Sequence, residues 1–395
     1  MEDIFNPYSF DVGTKIKYGV GAHKQVGVVA KDLNVKKAML ITDPALVKNQ
    51  LAEKISDELK AQGITTEIFA EIGSEPTDKQ VHSGVAFLKK IKPELVIALG
   101  GGSVMDCAKC INVLSFNDGT INEYEGASSN FPNDSPIPLV AMPTTSGTGA
   151  ELAAWAVITD TSRSYKMSLG SPYLLPDYAM VDPILTLDLP PKPTAYSGFD
   201  ALSQVIEGLL SRRRSPLSHQ LGLLAIRLIT ENIGIATRRG WDLEARTNMA
   251  MGSMIGGMNM ILGGCIIVHS IAETLGGMYH LPHGLTVGLT LPHMLQFNLA
   301  GDVPVYAEIA KAMGVNTDGM STREAAGTVV PRINQLLNDL DFPTFKEAGL
   351  KKEDIPQIAS LAMDNPSTPD NPRSMTIEDF EAILYGCLAD SRGKV

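Results

Sequence analysis

A polar helical face is the first feature of the sequence that could carry chemistry. In SGFDALSQVIEGLL (197–210), Asp200, Gln204 and Glu207 recur at i, i+4 and i+7. They therefore share one face of a helix whose opposite side is apolar. Such a face either meets solvent or supplies oxygen ligands to a metal, and this segment alone leaves both interpretations open.

A second stretch, GGCIIVHSIAETLGGMYHLPHG (263–284), narrows the choice. His269 and Glu273 lie four residues apart in a helix that is apolar on nearly every side. Burying them is costly unless they pair with each other or bind a cation. His283 follows just beyond the helix. Asp200, His269 and His283 together offer the oxygen and nitrogen ligands that divalent first-row metals accept.

A glycine-rich turn suggests an anion site elsewhere in the chain. In VIALGGGSVMDCAK (96–109), the residues GGGS (100–103) join a strand-like run to a helical one. Unpaired N–H groups at a helix N-terminus bind phosphate, and glycines let a pyrophosphate approach the backbone. The alternative is a tight turn that needs positive φ. PTTSGTGAE (143–151) also follows an apolar strand and could line the same dinucleotide.

Asp43 ends the strand-like run MLITD. An acid at this position can accept both ribose hydroxyls of an adenosine and would repel a 2′-phosphate, which favours NAD over NADP. An N-cap for the helix that starts at PALVKNQL explains the same residue equally well.

Short strand-like runs alternate with helical patterns up to about Pro190, as in a parallel sheet covered by helices on both faces. Long helical patterns follow it: 194–210, 216–233, 243–261 and 264–277. The proline-rich DLPPKP (188–193) marks the boundary. We therefore predict an α/β dinucleotide-binding domain over 1–190 and a helical metal and substrate domain over 191–395, with the active site in a cleft between them.

Composition restricts the partners. The 395 residues carry 33 Lys and Arg against 44 Asp and Glu, a net charge of −11, which disfavours binding to nucleic acid or anionic lipid. The N-terminal stretch lacks the apolar core of a signal peptide, and the most apolar region (258–272) is broken by two glycines and a histidine. We expect a cytoplasmic protein without a membrane span. The pair Cys107 and Cys110 is best explained by packing on one helical face.

Taken together, the motifs resemble the iron-containing (group III) alcohol dehydrogenases over essentially the whole chain. The matching stretches are GGGSVMDCAK, PTTSGTGAE, AVITD, GFDALSQVIE, HSIAETLGGMYHLPHG, LPHML and DNPRSMTIEDF. The resemblance implies the dehydroquinate synthase-like architecture, an α/β Rossmann-like domain followed by an all-α domain. It also implies a homodimer or higher homo-oligomer that transfers hydride between NAD(P) and a small alcohol or aldehyde, usually with Fe²⁺ or Zn²⁺.

Residue by residue, the resemblance gives roles to both domains. Its cofactor-binding positions fall on Asp43, Gly101, Gly102, Ser103, Thr144, Thr145, Thr148 and Lys166. Its metal ligands fall on Asp200, His269 and His283. The second ligand, normally a histidine, is Gln204 here, and a further histidine that the family keeps close to the nicotinamide and substrate is Glu273.

These two replacements leave three interpretations open. Gln204 coordinates through its carbonyl oxygen; or Glu273 turns to the metal as a second carboxylate; or no metal binds, and Glu273 and His269 polarise the substrate by hydrogen bonds. Glu273 is also a candidate acid/base.

The expected function is oxidation of a small alcohol or reduction of the aldehyde. A metal-independent reductase of the maleylacetate reductase type and a catalytically impaired NAD-binding protein are the alternatives. The run RRR (212–214) is either a solvated surface or an anion-binding element for the substrate.

Overall fold

The computed structural model describes residue 10 and the ranges 12–126, 130–163 and 165–389. The described residues form two compact units, one within residues 12–189 and one made of residue 10 and residues 190–389. Each unit has its own hydrophobic core.

The first unit alternates strands and helices in chain order. Its strands are β1 (Lys15–Tyr18), β2 (Lys37–Ile41), β3 (Thr65–Phe69), β4 (Leu95–Gly100), β5 (Leu139–Pro143), β6 (Trp155–Asp160), β7 (Tyr165–Gly170) and β8 (Tyr178–Val181). Its helices are α1 (Val26–Asp32), α2 (Pro44–Lys48), α3 (Leu51–Lys60), α4 (Asp78–Ile91) and α5 (Gly102–Leu114).

Six of these strands form one parallel sheet in the order β1-β8-β5-β4-β2-β3. Its two faces belong to separate cores: Met39 and Ile41 pack on one side with α4 and α5, and Ala38 and Leu40 on the other with α1 and α3. This alternation follows from the two-residue period of a strand, and burial on both faces explains why the strands read as continuous apolar runs. The predicted parallel α/β domain is confirmed.

The first unit also contains an antiparallel hairpin that the sequence pattern did not predict. Strands β6 and β7 pair from Trp155↔Gly170 to Asp160↔Tyr165 and form a separate two-stranded sheet. Its motif AVITD was recognised only as part of the family resemblance, because a two-stranded element follows neither the helix nor the crossover pattern of the parallel sheet.

The second unit is helical, as predicted. Its helices are α6 (Pro191–Leu210), α7 (Pro216–Arg238), α8 (Leu243–Gly263), α9 (Ile267–Tyr279), α10 (His283–Asn298), α11 (Val303–Ala312), α12 (Thr322–Gly327), α13 (Val329–Asp339), α14 (Ile355–Met363) and α15 (Ile377–Ala389). Apolar side chains from α6 to α15 form one contiguous core.

The break between α8 and α9 falls later than the sequence pattern predicts. Helix α8 ends at Gly263 and α9 starts only at Ile267, whereas periodicity placed the helix start at Gly264. In the described residues no single helix meets the length and hydropathy of a membrane span; α8 and α9 meet them only as a pair bent by 108°.

Candidate metal centre and cofactor loops

Helix α6 buries a polar face. Asp200 is 3% exposed, Gln204 1% and Glu207 0%, so the face meets protein and not solvent. The alternative of a solvated face is therefore wrong. Buried carboxylates need compensating partners, and each of these residues must be accounted for.

Asp200 lies between two imidazoles. Its Oδ1 is 3.6 Å from Nε2 of His269 and 3.6 Å from Nε2 of His283. These separations are too long for hydrogen bonds, and Oδ1 is buried without a hydrogen-bond partner. Two donors that each bind one cation at about 2.0–2.2 Å, at roughly tetrahedral angles, lie about 3.3–3.6 Å apart. The spacing and the unpartnered oxygen therefore fit a metal ion.

Glu207 holds the imidazole of His269 at the ring nitrogen that does not face Asp200. Its Oε1 accepts the backbone N–H groups of Ile266 (3.0 Å), Val268 (3.0 Å) and His269 (3.3 Å) at the start of α9. Its Oε2 forms a short contact with Nδ1 of His269. A carboxylate at a helix N-terminus is favourable, and by binding Nδ1 it leaves Nε2 facing Asp200. Because this carboxylate accepts the free N–H groups at the start of α9, it explains why the helix begins at Ile267.

His283 is positioned by a close helix contact. It is the first residue of α10, and the next residue, Gly284, packs against the backbone of α6. A Cβ at Gly284 would lie 2.1 Å from the carbonyl oxygen of Tyr196. Only glycine allows this approach, which brings the first turn of α10 to the helix that carries Asp200. His283 keeps 29% of its side chain exposed, so the cluster opens on its side.

The electrostatics of the cluster favour a cation. Burial disfavours the charged imidazole, but neighbouring acidic groups, Cys265 first and then Glu207, outweigh it and raise the pKa of His269 well above its usual value. For Asp200, burial acts against ionisation, yet the two imidazoles, His283 first, lower its pKa. The carboxylates therefore favour positive charge among them.

The described residues contain two sets of candidate ligand atoms within 4.8 Å of one another. One is Asp200, His269 and His283; the other is Glu207, Cys265 and His269. The second shares His269 with the first and contains the carboxylate that caps α9. Neither set includes Glu273, whose Oε2 accepts a hydrogen bond from Nδ2 of Asn365 at 2.7 Å.

Gln204 is buried one turn after Asp200. Its Nε2 lies toward α8, where a Cβ on Gly256 would come within 3.0 Å. Coordination by its carbonyl oxygen stays a prediction.

In the first unit, the predicted cofactor residues gather at one edge of the sheet. Asp43 follows β2, the segment Gly101–Ser103 follows β4, and the three threonines follow β5, which are neighbouring strands. The carboxyl ends of parallel strands are where nucleotides bind in open α/β sheets. The two loops touch: the N–H of Thr144 donates to the carbonyl of Gly100 at 3.0 Å.

Close packing, and not a positive φ, explains the three glycines. None of Gly100, Gly101 and Gly102 has positive φ, so the tight-turn alternative is wrong. A Cβ at Gly102 would lie 2.8 Å from Thr148, and one at Gly101 would lie 3.2 Å from Thr145. The absence of side chains lets the threonine loop pack against the N-terminus of α5.

Asp43 and Lys166 occupy defined positions in this unit. Oδ1 of Asp43 caps α2 by accepting the N–H groups of Ala45 (2.8 Å) and Leu46 (3.1 Å). The N-cap interpretation is therefore confirmed, and the ribose contact stays a prediction. Lys166, on β7, has its Nζ 3.7 Å from Oε1 of Glu75. Ser103 donates its hydroxyl to the carbonyl of Ser74 at 2.8 Å.

Two other candidate features are structural. Cys107 and Cys110 are buried in the core, and burial raises the pKa of both thiols. The arginine run that follows α6 binds two other segments of the chain. Arg213 pairs with Asp370 at 3.5 Å, Arg214 pairs with Asp302, and Arg212 donates to Pro372 and Ser374.

The fold agrees with the comparisons to known proteins. The chain matches the family "Iron-containing alcohol dehydrogenase" over residues 13–183 and its C-terminal part over 194–388. Choline dehydrogenase of Bacillus subtilis (strain 168) is 35% identical over 389 residues, covering 98% of this chain and 97% of that protein. NAD-dependent methanol dehydrogenase of Bacillus methanolicus is 35% identical over 371 residues, covering 94% and 97%. A crystal structure of 1,3-propanediol oxidoreductase superposes with a TM-score of 0.93 at 32% identity, covering 97% and 100%.

The chain belongs to the iron-containing alcohol dehydrogenase family. It is an oxidoreductase that acts on CH–OH groups and transfers hydride between a nicotinamide cofactor and a small alcohol or aldehyde.

Two groups of residues were missed from the sequence. Glu207 was placed on the face of Asp200 without a role, although its i+7 spacing was a usable signal. Asn365 and Lys109 gave none, because their contacts join segments far apart in the chain.

Proposed function

We propose that Asp200, His269 and His283 hold a divalent metal ion, Fe²⁺ or Zn²⁺, in an NAD-dependent alcohol dehydrogenase. The observation that carries the proposal is the buried, unpartnered Oδ1 of Asp200, 3.6 Å from two imidazole nitrogens. Gln204, one turn after Asp200, supplies a fourth ligand through its carbonyl oxygen. The ion supplies a Lewis acid for the substrate oxygen.

The residues around the ligands set their orientation. The Nδ1–H group of His269 donates a hydrogen bond to Oε2 of Glu207. The unprotonated Nε2 of His269 then faces Asp200 and can bind the ion between them. Glu273 lies one helical turn beyond His269 and is held by Asn365. We assign Glu273 to the substrate side of the centre, as a group that binds the substrate or accepts its proton, and not to the ligand set.

In the first unit, the cofactor residues have separate tasks. Backbone N–H groups at Gly101–Ser103 bind the pyrophosphate, and the hydroxyls of Thr144, Thr145 and Thr148 line the same loop. Asp43 binds the adenosine ribose and disfavours the 2′-phosphate of NADP. Lys166 adds a positive charge beside the phosphates.

Small primary alcohols are the proposed substrates, together with the corresponding aldehydes. The named substrates of the relatives include choline and methanol, both small primary alcohols. We further propose a cytoplasmic enzyme that assembles as a homodimer or a higher homo-oligomer.

A panel of alcohols, followed by the absorbance of NADH, tests the function. We expect steady NADH formation with at least one small primary alcohol, and a much smaller rate with NADP. Asp200→Asn is the variant that should abolish it. Binding of NAD without oxidation of any alcohol in the panel would instead identify a catalytically impaired protein.

A further inference from the structure

Residues 70–77, between β3 and α4, connect the glycine loop (100–103) to the β6–β7 hairpin. Ser103, at the start of α5, donates its hydroxyl to the carbonyl of Ser74 at 2.8 Å. On the other side, the N–H of Thr159 on β6 donates to the carbonyl of Pro76 at 2.8 Å. The segment therefore fixes the hairpin relative to the N-terminus of α5, where the proposed pyrophosphate site lies.

Glu75 lies at the centre of this connection. Its Oε1 accepts the hydroxyl of Thr159 at 3.1 Å and lies 3.7 Å from Nζ of Lys166. Thr159 and Lys166 are directly opposite each other in the hairpin, so their side chains lie side by side on one face. One carboxylate oxygen therefore approaches both members of this cross-strand pair.

The two charged groups are partly buried. Only 13% of the Lys166 side chain and 28% of the Glu75 side chain are exposed. A partly buried ammonium needs a nearby negative charge, and Glu75 supplies one. Asp106 on α5 is a second carboxylate within electrostatic reach: burial raises its pKa, and Lys109 and, more weakly, Lys166 oppose this shift. These carboxylates hold the Lys166 ammonium close to α5.

The ammonium of Lys166 keeps its capacity to donate hydrogen bonds. At 3.7 Å, Oε1 of Glu75 attracts the ammonium but lies beyond hydrogen-bond distance. Within residues 12–126, 130–163 and 165–389, Nζ of Lys166 donates no hydrogen bond. An ammonium has three N–H donors, and a charged donor forms strong hydrogen bonds with phosphate oxygens. Lys166 is therefore held in place with its donors available to an anion.

We propose that Glu75 is a positioning residue of the cofactor site: it holds the ammonium of Lys166 beside the glycine loop, where Lys166 binds the phosphates of NAD. The inference rests on the proposed function and adds a residue to its cofactor site. Without the carboxylate, the flexible lysine side chain must be ordered each time the cofactor binds, so affinity falls. Glu75 acts through Lys166 and needs no contact of its own with the cofactor.

A double-mutant cycle tests whether Glu75 acts through Lys166. Calorimetry measures the dissociation constant of NAD in the wild type, Glu75→Gln, Lys166→Met and the double variant, independently of turnover. We expect Glu75→Gln to weaken binding about three- to fivefold and Lys166→Met to weaken it about tenfold or more. The double variant should bind NAD no more weakly than Lys166→Met, because Glu75 then has no lysine to position.

Two further variants separate positioning from general damage. Thr159→Val keeps the shape of the side chain but removes the hydroxyl that holds Oε1 of Glu75, so it should weaken binding less than Glu75→Gln does. Glu71→Gln is the matched control: it removes an exposed carboxylate of the same segment, one that accepts the hydroxyl of Ser83 at 2.8 Å, and should leave NAD binding unchanged.

A second ligand locates the effect on the cofactor. ADP-ribose keeps the two phosphates of NAD and lacks the nicotinamide ring. The variants should therefore show the same order of affinities for ADP-ribose as for NAD. An effect confined to NAD would contradict an action on the phosphates.

The sign of the change separates positioning from repulsion. Glu75 and the phosphates have like charge, so a carboxylate that only repelled the cofactor would give tighter binding in Glu75→Gln. Tighter or unchanged binding would overturn the proposal. A loss that persists in the Lys166→Met background would show that Glu75 acts by another route.

Two outcomes distinguish this inference from the proposed function. Wild-type NAD affinity in Lys166→Met would overturn the role of Lys166, and this inference with it, but leave the dehydrogenase function intact. Absence of NAD binding to the wild-type protein would overturn the proposed function as well.

Discussion

Each of the two units buries a cluster of ionisable side chains, but the clusters differ in whether their polar atoms have hydrogen-bond partners. In the first unit, Lys109 is 1% exposed; its Nζ donates to the carbonyl of Trp155 at 2.8 Å and lies 3.5 Å from Oδ1 of Asp106. Asp106 also accepts the N–H of Val157 at 3.0 Å. In the second unit, Oδ1 of Asp200 accepts nothing.

This difference separates structure from function. Burial raises the pKa of Asp106 and lowers that of Lys109, so desolvation opposes the charge of both groups, and their attraction to each other and the bond from Val157 to Asp106 offset part of this cost. The pair fastens strand β6 to α5. Around Asp200 the nearest groups that can carry positive charge are the imidazoles of His269 and His283, each 3.6 Å from Oδ1, and the proposed metal ion would complete this cluster. The Lys109 cluster is satisfied by hydrogen bonds within the chain, whereas the unpartnered oxygen of Asp200 between two imidazoles supports the proposal that this cluster binds a ligand.

The largest effect should follow from Asp200→Asn. An amide removes the charge that the metal requires, so we expect kcat/KM to fall about a thousandfold or more, equivalent to roughly 4 kcal/mol. The same variant should also unfold somewhat more easily than wild type, because the imidazoles that lower the pKa of Asp200 stabilise its charged form in the folded state. Activity near wild type in Asp200→Asn would show that the cluster is not the active centre.

Lys109→Met should lower stability and leave the metal centre intact. It leaves Asp106 buried without its cation and the Trp155 carbonyl without a donor, so we expect a loss of about 3–5 kcal/mol in the free energy of unfolding. Metal content should stay unchanged. Urea unfolding measures the loss, and the double variant with Asp106→Asn should recover part of it. Unchanged stability in Lys109→Met would show that the Lys109 cluster does not stabilise the fold and that the two clusters do not differ in this way.

Glu207→Gln should weaken the metal centre without abolishing it. The amide still occupies the space behind His269 but holds its Nδ1 proton less well, so we expect metal affinity to fall about 10- to 100-fold. Competition with a chelator of known affinity measures the change. Wild-type affinity in this variant would mean that His269 needs no such support.

The smallest effect should come from Gly102→Ala. Its Cβ would lie 2.8 Å from Thr148 and displace the threonine loop, at a cost of about 1–3 kcal/mol. We expect KM for NAD to rise about tenfold with little change in metal content. Gly327→Ala on α12, where a Cβ meets open space, is the matched control. Equal KM values in both variants would argue that the loop does not hold the cofactor.

Features of the fold and the site that depend on residues close together in the sequence could be predicted, and features that depend on distant contacts could not. The parallel sheet and the helical unit follow from periodicities within short segments, and Asp200, His269 and His283 follow from polar residues on apolar helices together with the family resemblance. The hydrogen bond from Lys109 to Trp155 joins residues 46 apart. The hairpin β6–β7 pairs residues only 5 to 15 apart, but it follows neither the helical period nor the strand–helix–strand pattern of the parallel sheet. The hydrogen bond from Asn365 to Glu273 spans 92 residues and leaves no periodic trace.

The glycine loop teaches a similar lesson. Its position between strand and helix was evident from the sequence, but the reason for glycine was not. Only the packed structure shows Thr145 and Thr148 in the space that side chains would fill.

The most direct test of the metal centre is the metal content of wild-type protein purified without chelator, measured with its activity before and after EDTA. We predict one tightly bound divalent ion per chain, loss of the ion and of activity together, and recovery of both when Fe²⁺ or Zn²⁺ is restored. Full activity in protein stripped of metal would contradict the account.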